Sequence, residues 1–236
     1  MSRTILITGA NRGIGLEHVR QALAAGEQVI AACRDPQGAH ALQALADTGR
    51  LRIEQVDMAD GATIDALAQR LAGVPIDMLV NNAGLYGGSW TSDAHRQTVA
   101  GMDYDLWDEM MRVNVIAQFR LTARLFDNLG AGVGKLVVMM SSELGSMARN
   151  TAGQSHAYRS SKAALNMLTR GLSLDLAGDG IKVVSMAPGW TKTDLGGEGA
   201  QWDVDESVRR QRDVLAGADR LPSGCFVDLN GEMVPW

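Results

Sequence analysis

Cysteine, long apolar runs and clustered charge are all scarce in this chain of 236 residues. Its two cysteines, Cys33 and Cys225, are too few and too isolated for a disulfide framework, which indicates a reducing compartment. No apolar run approaches the roughly 18 residues of a membrane-spanning helix, and the apolar stretch near the N-terminus is too short for a signal peptide. We therefore expect a soluble, cytoplasmic protein.

The lack of basic clusters excludes further classes of protein. The chain has 22 basic and 27 acidic residues and a formal net charge of −5, whereas nucleic-acid binders normally carry a basic patch. It has no run of about five like charges and no basic amphipathic stretch that would bind a membrane surface. Its four histidines are scattered without the spacing of metal ligands. We predict no nucleic-acid, membrane or metal partner.

Short apolar runs alternate with stretches of helical periodicity along the whole chain. The apolar runs predict strands at Thr4–Thr8, Gln28–Cys33, Arg52–Val56, Met78–Asn81, Lys135–Met140, Lys182–Met186 and Cys225–Leu229. Helical spacing is found at Ile14–Ala25, Ala62–Ala72, Leu106–Leu129 and Ala157–Ala177. Repeated strand–helix–strand units with right-handed crossovers predict an α/β fold, with one doubly wound parallel sheet and helices on both faces.

No Pro- or Ser-rich linker and no internal repeat divides the chain, which favours a single domain over residues 1–236. The stretch around residues 190–203 is rich in glycine, has weak periodicity and follows the sixth predicted strand. Doubly wound folds bind ligands beyond the carboxyl ends of their strands. We therefore predict a mobile loop there that contacts the substrate.

The first predicted strand leads into a glycine-rich turn, Thr8-Gly9-Ala10-Asn11-Arg12-Gly13-Ile14-Gly15. Glycine lets the chain turn tightly and lets its backbone approach a pyrophosphate, and the following helix presents free N–H groups to the phosphates. The Gly-x3-Gly-x-Gly spacing differs from the Gly-x-Gly-x2-Gly dehydrogenase fingerprint. The turn predicts a nucleotide site; the alternative is a connection that only packs well.

A tyrosine and a lysine four residues apart, Tyr158 and Lys162, stand at the start of a helical stretch. Positions i and i+4 lie on one helix face, so the phenol and the ammonium can act at one site. The lysine cation would lower the tyrosine pKa from its reference value of about 10 and make the phenol a usable acid or base. The alternative is an exposed pair on a solvated helix.

Six motifs, in this order, resemble those of the short-chain dehydrogenase/reductase family over essentially the whole chain. They are Thr8-Gly9-x3-Gly13-x-Gly15, Asn81-Asn82-Ala83-Gly84, Asn114, Ser142, Tyr158-x3-Lys162 and Pro188-Gly189-x3-Thr193. The stretch Pro188–Asp194 and the ending Val234-Pro235-Trp236 further resemble C-factor-like carbonyl reductases. The resemblance implies one Rossmann-type domain that transfers a hydride between nicotinamide and a carbonyl or alcohol substrate. The alternative is a dinucleotide-binding signalling or regulatory protein.

The resemblance also implies a catalytic set of Asn114, Ser142, Tyr158 and Lys162. Tyr158 would donate a proton to the substrate carbonyl oxygen, and Ser142 would hydrogen-bond the same oxygen and stabilise its developing charge. Lys162 would lower the phenol pKa and hold the nicotinamide ribose. Asn114 would hold a water that links Lys162 to solvent; the alternative is a buried asparagine that satisfies backbone groups within a helix.

The sequence departs from the family pattern around the catalytic serine and in two segments near the expected substrate site. Ser141 is a rival for the catalytic serine, although alternation along the strand would send it to the face opposite Ser142. The spacing from serine to tyrosine exceeds the commonest family spacing, and the extra residues within Met147–Ser155 are expected to bulge beside the substrate entrance. The segment Leu85–Met102 is also unlike the generic family, and its Trp90 would shape the pocket or cover the core.

The resemblance implies that the cofactor lies along the glycine turn and the carboxyl ends of the strands. The implied contacts are Gly9, Asn11, Arg12, Gly13, Ile14, Gly15, Arg34, Asp57, Met58, Asn82, Ala83, Gly84, Tyr158, Lys162, Pro188, Gly189, Thr191 and Thr193. Asp57 follows the third predicted strand and resembles the adenine-contacting aspartate of the family. The alternative for Asp57 is an ordinary helix N-cap.

The end of the second predicted strand favours NADP(H) over NAD(H). NAD-dependent relatives usually place a carboxylate there for the ribose hydroxyls, but this chain has Cys33. Arg34 follows at once and Arg12 lies in the glycine turn, so the two guanidiniums would clamp a 2′-phosphate. Asp35 would repel that phosphate or pair with Arg34. The alternative is that both arginines are solvated surface charges.

Two predicted helices carry apolar residues around more than one face. They are Leu106–Leu129 and Ala157–Ala177, and a second apolar face indicates burial between subunits. The resemblance implies a homodimer or homotetramer formed through these helices. The other expected partner is a small-molecule carbonyl or alcohol substrate.

Overall fold

The computed structural model describes residues 2–46, 49–88 and 92–236. Seven parallel strands form one sheet. The strands are β1 Thr4–Thr8, β2 Gln28–Cys33, β3 Leu51–Gln55, β4 Met78–Asn81, β5 Leu136–Met140, β6 Lys182–Ala187 and β7 Phe226–Asp228. Their order in the sheet is β3-β2-β1-β4-β5-β6-β7. The prediction of one doubly wound Rossmann-type sheet is confirmed.

Helices connect the strands. Within the described residues they are α1 Gly13–Ala24, α2 His40–Gln43, α3 Gly61–Arg70, α4 Tyr104–Met111, α5 Ala117–Arg124, α6 Phe126–Ala131, α7 His156–Asp175 and α8 Val204–Ala216. The helix predicted over Leu106–Leu129 is divided in two ways. A π-helical turn, Arg112–Ile116, follows α4, and Leu125 leaves helical geometry (φ −98°, ψ 14°) between α5 and α6.

The sheet is buried on both faces because its strands alternate apolar side chains between two cores. Along β1, Ile5 and Ile7 pack into a core with residues of α1, α2 and α8. Leu6 points the other way, into a core that includes residues of α3, α5, α6 and α7. This is the burial pattern of a parallel sheet covered by helices on two sides.

The strand order reverses between β1 and β4, and doubly wound folds bind ligands in the crevice at such a reversal. The segments that follow β1, β4, β5 and β6 all begin at this edge, and they carry the predicted site motifs. Among residues 2–46, 49–88 and 92–236, no helix is long and apolar enough to cross a bilayer. The same residues hold no group of three or more His, Cys, Asp or Glu placed to bind a metal ion.

Candidate active site

The turn between β1 and α1 is so tight that several of its positions require glycine. Gly9 (φ +64°) and Gly13 (φ +53°) adopt left-handed backbone conformations. A Cβ on Gly9 would lie 3.0 Å from the Cα of Ala83, and one on Gly15 would collide with the carbonyl oxygen of Gly9. The turn is therefore a backbone surface that a ligand can approach closely.

The N-terminus of α1 is open to an anion. Arg12 occupies its N-cap position in an extended conformation and makes no side-chain capping hydrogen bond. The first turn contains no acidic residue, so its backbone N–H groups and the positive end of the helix dipole are available to phosphate oxygens. This end of α1 fits the pyrophosphate of a dinucleotide.

The segment after β4 is tied to the glycine turn. The Asn82 side chain donates to the Thr8 carbonyl oxygen (2.8 Å). The Thr8 hydroxyl accepts from the backbone N–H groups of Asn82 (3.1 Å) and Ala83 (3.0 Å). Thr8 was part of the sequence motif but had no predicted role, and here it joins the two motifs.

The predicted tyrosine–lysine pair lies at this edge of the sheet, on the first two turns of α7. Tyr158 and Lys162 are 8% and 4% exposed, so they do not form the exposed pair of the alternative interpretation. The Lys162 Nζ atom lies 5.5 Å from the centre of the Tyr158 ring and donates to the Met140 carbonyl oxygen (2.8 Å). A Cβ on Gly84 would lie 3.6 Å from both Lys162 Nζ and Asn114 Oδ1. The three motifs therefore meet at Gly84.

Burial sets the protonation of this pair. It raises the pKa of Tyr158 to about 12, against a smaller lowering by a hydrogen bond with Ser142, and it lowers the pKa of Lys162 to about 8. The expectation of a lowered Tyr158 pKa is therefore wrong for the chain on its own, because removing a phenolate from water dominates. At neutral pH the phenol keeps its proton and can act as a proton donor.

The two candidate serines after β5 have different surroundings. The Ser141 hydroxyl is buried and donates to Asn166 Oδ1 (2.6 Å). Ser142 begins a 3₁₀ turn, where its hydroxyl accepts from the Leu144 N–H (3.2 Å), and it lies close enough to the Tyr158 phenol to lower the pKa of that group. The structure therefore brings Ser142, and not Ser141, to the phenol.

Asn114 lies in the π-helical turn and is fully buried. Its Oδ1 accepts from the Leu85 N–H (2.7 Å), and its Nδ2 donates to the Leu85 carbonyl oxygen (2.9 Å) and to Ser161 Oγ (3.1 Å). The side chain thus satisfies backbone groups, although not those of a helix, which the alternative interpretation expected. Those groups belong to the segment that follows Gly84, so Asn114 fixes that segment beside Lys162.

The stretch 190–203 is held at both ends by hydrogen bonds. Thr191 and Trp202 form an isolated parallel bridge, and the buried Thr191 hydroxyl donates to the Pro188 carbonyl oxygen (3.1 Å). Thr193 lies over the glycine turn, 3.3 Å from where a Cβ on Gly13 would stand. Arg12 pairs with Asp194 (2.6 Å) across the same gap. These contacts bring the stretch onto the predicted cofactor site.

At the far end of the glycine turn, the residue after β2 is free to meet a ligand. Arg34 is exposed and forms no ion pair with another described residue. Asp35 is turned away, since its Oδ1 accepts from the backbone N–H groups of Gln37 and Gly38 (both 3.1 Å). Asp35 therefore does not pair with Arg34 here.

Asp57 and Met58 follow β3 near this end of the sheet. Asp57 Oδ1 accepts from the Ala59 N–H (2.9 Å). The N-cap of α3 is Asp60, which accepts from the Ala62 N–H, so Asp57 is not the helix cap of the alternative interpretation. Met58 is buried.

The inserted segments surround α7. Residues 147–155 lie against the C-terminal end of the chain, where the Ala148 N–H donates to the Trp236 carbonyl oxygen (2.9 Å). With α7 they border a shallow pocket of about 320 Å³ beside His156 and Arg159. In the other segment, Trp90 lies outside the described residues.

The sequence offers Tyr86 as a pocket or core residue, but its contact with Tyr158 and the role of Gln97 were not predicted. The Tyr86 ring meets the Tyr158 ring edge-on (centroids 5.2 Å apart, 68° between planes). Gln97 is completely buried and accepts from the Tyr158 backbone N–H (2.9 Å). No local pattern could have indicated them, because their partners lie more than 60 residues along the chain.

Comparison with known families decides the family. The profile of the short chain dehydrogenase family matches residues 3–203, which include every motif of the site. The chain belongs to this family. Its chemistry is therefore NAD(P)-dependent oxidoreduction, and the predicted resemblance is confirmed.

Individual relatives of this short-chain dehydrogenase cover most or all of it. It is 37% identical to C-signal of Myxococcus xanthus over 171 residues, which is 72% of this chain and 99% of that protein. Carbonyl reductase Sniffer of D. melanogaster superposes with a TM-score of 0.90 at 30% identity, covering 100% of both chains. NADPH-bound carbonyl reductase from chicken fatty liver gives a TM-score of 0.88 at 35% identity, with 100% and 99% covered.

Proposed function

We propose that this chain is an NADPH-dependent reductase of aldehydes or ketones. The observation that carries the proposal is the buried phenol of Tyr158, which lies beside Lys162 at the edge of the sheet that holds the glycine turn, and the raised pKa of this phenol keeps it protonated at neutral pH. Such a phenol suits proton donation to a carbonyl oxygen better than proton removal from an alcohol. Reduction is therefore the favoured direction.

Each side chain of the set has a distinct part in this proposal. Tyr158 gives its proton to the carbonyl oxygen, and Ser142 donates a hydrogen bond to the same oxygen. The Lys162 ammonium stabilises the phenolate left on Tyr158 and binds the ribose hydroxyls of the cofactor. Asn114 contributes by holding the Leu85 segment in place.

The cofactor would be held by the contacts that the sequence predicts. The uncapped N-terminus of α1 would take the pyrophosphate, and Thr193, which lies beside Gly13, would contact the cofactor next to the glycine turn. When bound, the nicotinamide supplies the hydride. Arg34 is exposed and Arg12 is held only by an exposed ion pair to Asp194, which is worth at most about 1 kcal/mol. Both guanidiniums can therefore turn to a 2′-phosphate, and the NADPH-bound carbonyl reductase among the relatives supports this choice.

The test measures oxidation of NADPH in the presence of a panel of aldehydes and ketones. The reaction is monitored through the decrease in absorbance of the reduced nicotinamide. We expect turnover with at least one apolar carbonyl compound, and a Tyr158→Phe control without it. Absence of turnover across the panel, with NADPH still bound, would contradict the reductase proposal.

Similarity to C-signal favours a second candidate, a dinucleotide-binding signalling or regulatory protein. In that case the chain would bind NADP(H) through the same turn, and its effect in cells would survive Tyr158→Phe. The two candidates separate when that variant is compared for turnover in vitro and for its effect in cells.

We also infer that the chain works as a homodimer or homotetramer in the cytoplasm and that residues 190–203 form its substrate loop. Large apolar side chains on the connected helices α4 to α5 and on α7 support the assembly. Cys33 and Cys225 are free thiols, which agrees with a reducing compartment.

A further inference from the structure

The helix that carries Tyr158 begins without a local cap. Its N-cap residue, Ser155, is in the left-handed region (φ +46°) and makes no side-chain capping hydrogen bond. The Ser155 hydroxyl is instead hydrogen-bonded to the Tyr86 hydroxyl (3.0 Å). The first N–H groups of α7 therefore depend on partners from elsewhere in the chain.

Gln97 supplies one of these partners from 61 residues away. Its Oε1 accepts from the Tyr158 backbone N–H (2.9 Å), and its Nε2 donates to the Tyr86 carbonyl oxygen (2.9 Å). Gln97 is 0% exposed, so water cannot replace either bond. One amide thus joins the backbone of Tyr158 to the backbone of Tyr86.

Tyr86 completes the arrangement through its ring. The Tyr86 and Tyr158 rings pack edge to face at 5.2 Å, a favourable geometry for aromatic pairs. The Tyr86 ring therefore limits rotation of the Tyr158 side chain, and Gln97 fixes the backbone of Tyr86.

We propose that Gln97 is a positioning residue, which caps the first turn of α7 and holds Tyr86 against Tyr158 so that the phenol stays at the reacting carbonyl. This inference rests on the reductase function proposed above. It also gives the segment Leu85–Met102, which departs from the generic family pattern, a part in catalysis.

The effect of Gln97 is confined to the start of a long helix. Further along α7, Asn166 binds the Gly145 carbonyl oxygen, and Thr169 is hydrogen-bonded to Ser185. These contacts hold the helix without Gln97. Loss of the amide should therefore loosen the turn that bears Tyr158 while the protein stays folded.

The test compares Gln97→Met, which keeps the length of the side chain but removes both hydrogen bonds, with Gln97→Glu, which keeps an acceptor for the Tyr158 N–H. The matched control is Asn128→Ala. Like Gln97, Asn128 is a buried amide that hydrogen-bonds two backbone groups, in its case the carbonyl oxygens of Leu71 and Val74 (2.6 and 2.8 Å), but it lies on α6, outside the candidate active site.

Three quantities are measured for each variant: kcat with the best carbonyl substrate, the Kd of NADPH, and hydrogen exchange of the peptide that contains Tyr158. For Gln97→Met we expect faster exchange in the first turn of α7, a kcat lower by about tenfold to a hundredfold, and an unchanged Kd. Gln97→Glu should recover part of kcat. Asn128→Ala should lower the melting temperature and leave kcat unchanged.

Four other results would contradict the positioning role of Gln97, each for a different reason. Faster exchange with unchanged kcat would make Gln97 a structural cap only, and unchanged exchange would show that the bond to Tyr158 is unimportant. A loss of kcat equal to that of Asn128→Ala would indicate general destabilisation. A wild type that binds NADPH but reduces no carbonyl would instead refute the reductase function, and the positioning role with it.

Discussion

Tyr158 is kept protonated by its surroundings, and this supports the proposed direction of the reaction. Burial is the main cause that raises its pKa to about 12, and the electrostatic interaction with Tyr86 acts in the same direction. A proton held this firmly is given up only when a stronger base forms, and the oxygen of a carbonyl that is accepting hydride becomes such a base. The environment of this one residue is thus the physical basis for proposing reduction.

The first prediction concerns the phenol itself. Tyr158→Phe should lower kcat by about 10² to 10⁴ because a positioned proton donor is lost. The Kd of NADPH should stay nearly unchanged in fluorescence titrations, because the phenol acts on the substrate. Lys162→Ala should instead weaken both turnover and cofactor binding. A Tyr158→Phe enzyme that keeps roughly a tenth or more of wild-type turnover would remove Tyr158 from the mechanism.

The second prediction concerns pH and Lys162, whose pKa burial lowers to about 8. The ammonium is the active form, because only the cation stabilises the phenolate. Carbonyl reduction should therefore be retained at neutral pH and fall as the pH rises through about 8. The measurement is the pH profile of kcat/KM in the reducing direction. A profile that stays flat well above that pH would show that the charge on Lys162 is not required.

The third prediction concerns the cofactor. Arg34→Ala should weaken NADPH binding by about tenfold or more, since each charge-assisted hydrogen bond contributes about 1.5 to 3 kcal/mol. NADH has no 2′-phosphate and serves as the internal control, so its Kd should hardly change. Equal losses for the two cofactors, or a wild type that prefers NADH, would refute the arginine clamp.

At the scale of elements, a buried polar chain joins α1 to α8 and to the segment after β6. His18 of α1 is hydrogen-bonded to Gln211 (3.1 Å), which donates to Ser207 (2.9 Å). Ser207 in turn donates to the Pro188 carbonyl oxygen (2.8 Å). These residues fasten the start of the predicted substrate loop to the helix that begins at the glycine turn.

The fourth prediction follows from His18, whose burial lowers its pKa to about 4. The unfolded chain binds the proton near the reference pKa of about 6.5, so the free energy of unfolding should fall as the pH drops from there towards the folded-state pKa. The loss should reach roughly 3 kcal/mol and then level off. Urea unfolding at several pH values measures it. His18→Gln should flatten the dependence in this range, and an unchanged slope would contradict the assignment.

At the scale of the whole molecule, large apolar side chains are exposed on three elements, the π turn, α5 and α7. Ile116 and Phe119 are 59% and 42% exposed in the π turn and α5, and Met167 and Leu174 are 71% and 61% exposed on α7. A contiguous exposed patch of such large apolar side chains commonly marks a surface that binds another protein molecule. Burial against a second copy would account for them.

The fifth prediction is the assembly. Light scattering at micromolar concentration should give a mass at least twice the 25.2 kDa of one chain, and Met167→Glu should shift it towards the monomer by placing a charge in the interface. A wild-type mass near 25.2 kDa would overturn the expected homodimer or homotetramer.

The fold could be predicted closely from the sequence because its signals are local. Each predicted strand end lies within one residue of the observed one, since apolar runs bounded by turn residues define buried parallel strands. The division of Leu106–Leu129 could not be predicted. A π turn keeps the helix continuous and shifts the phase of the apolar positions by only one residue, and the two parts on either side still show helical spacing.

The glycine turn, the Tyr158–Lys162 pair and the order of the motifs could be read directly from the chain, because they rest on the spacing of nearby residues. The protonation of Tyr158, the pairing of Ser141 with Asn166 and the contact of Gln97 with Tyr158 became apparent only in the folded protein. Burial and hydrogen bonding across 25 or 61 residues arise when helices and strands pack. Such contacts leave no periodic trace in the chain, and they set how the motifs work.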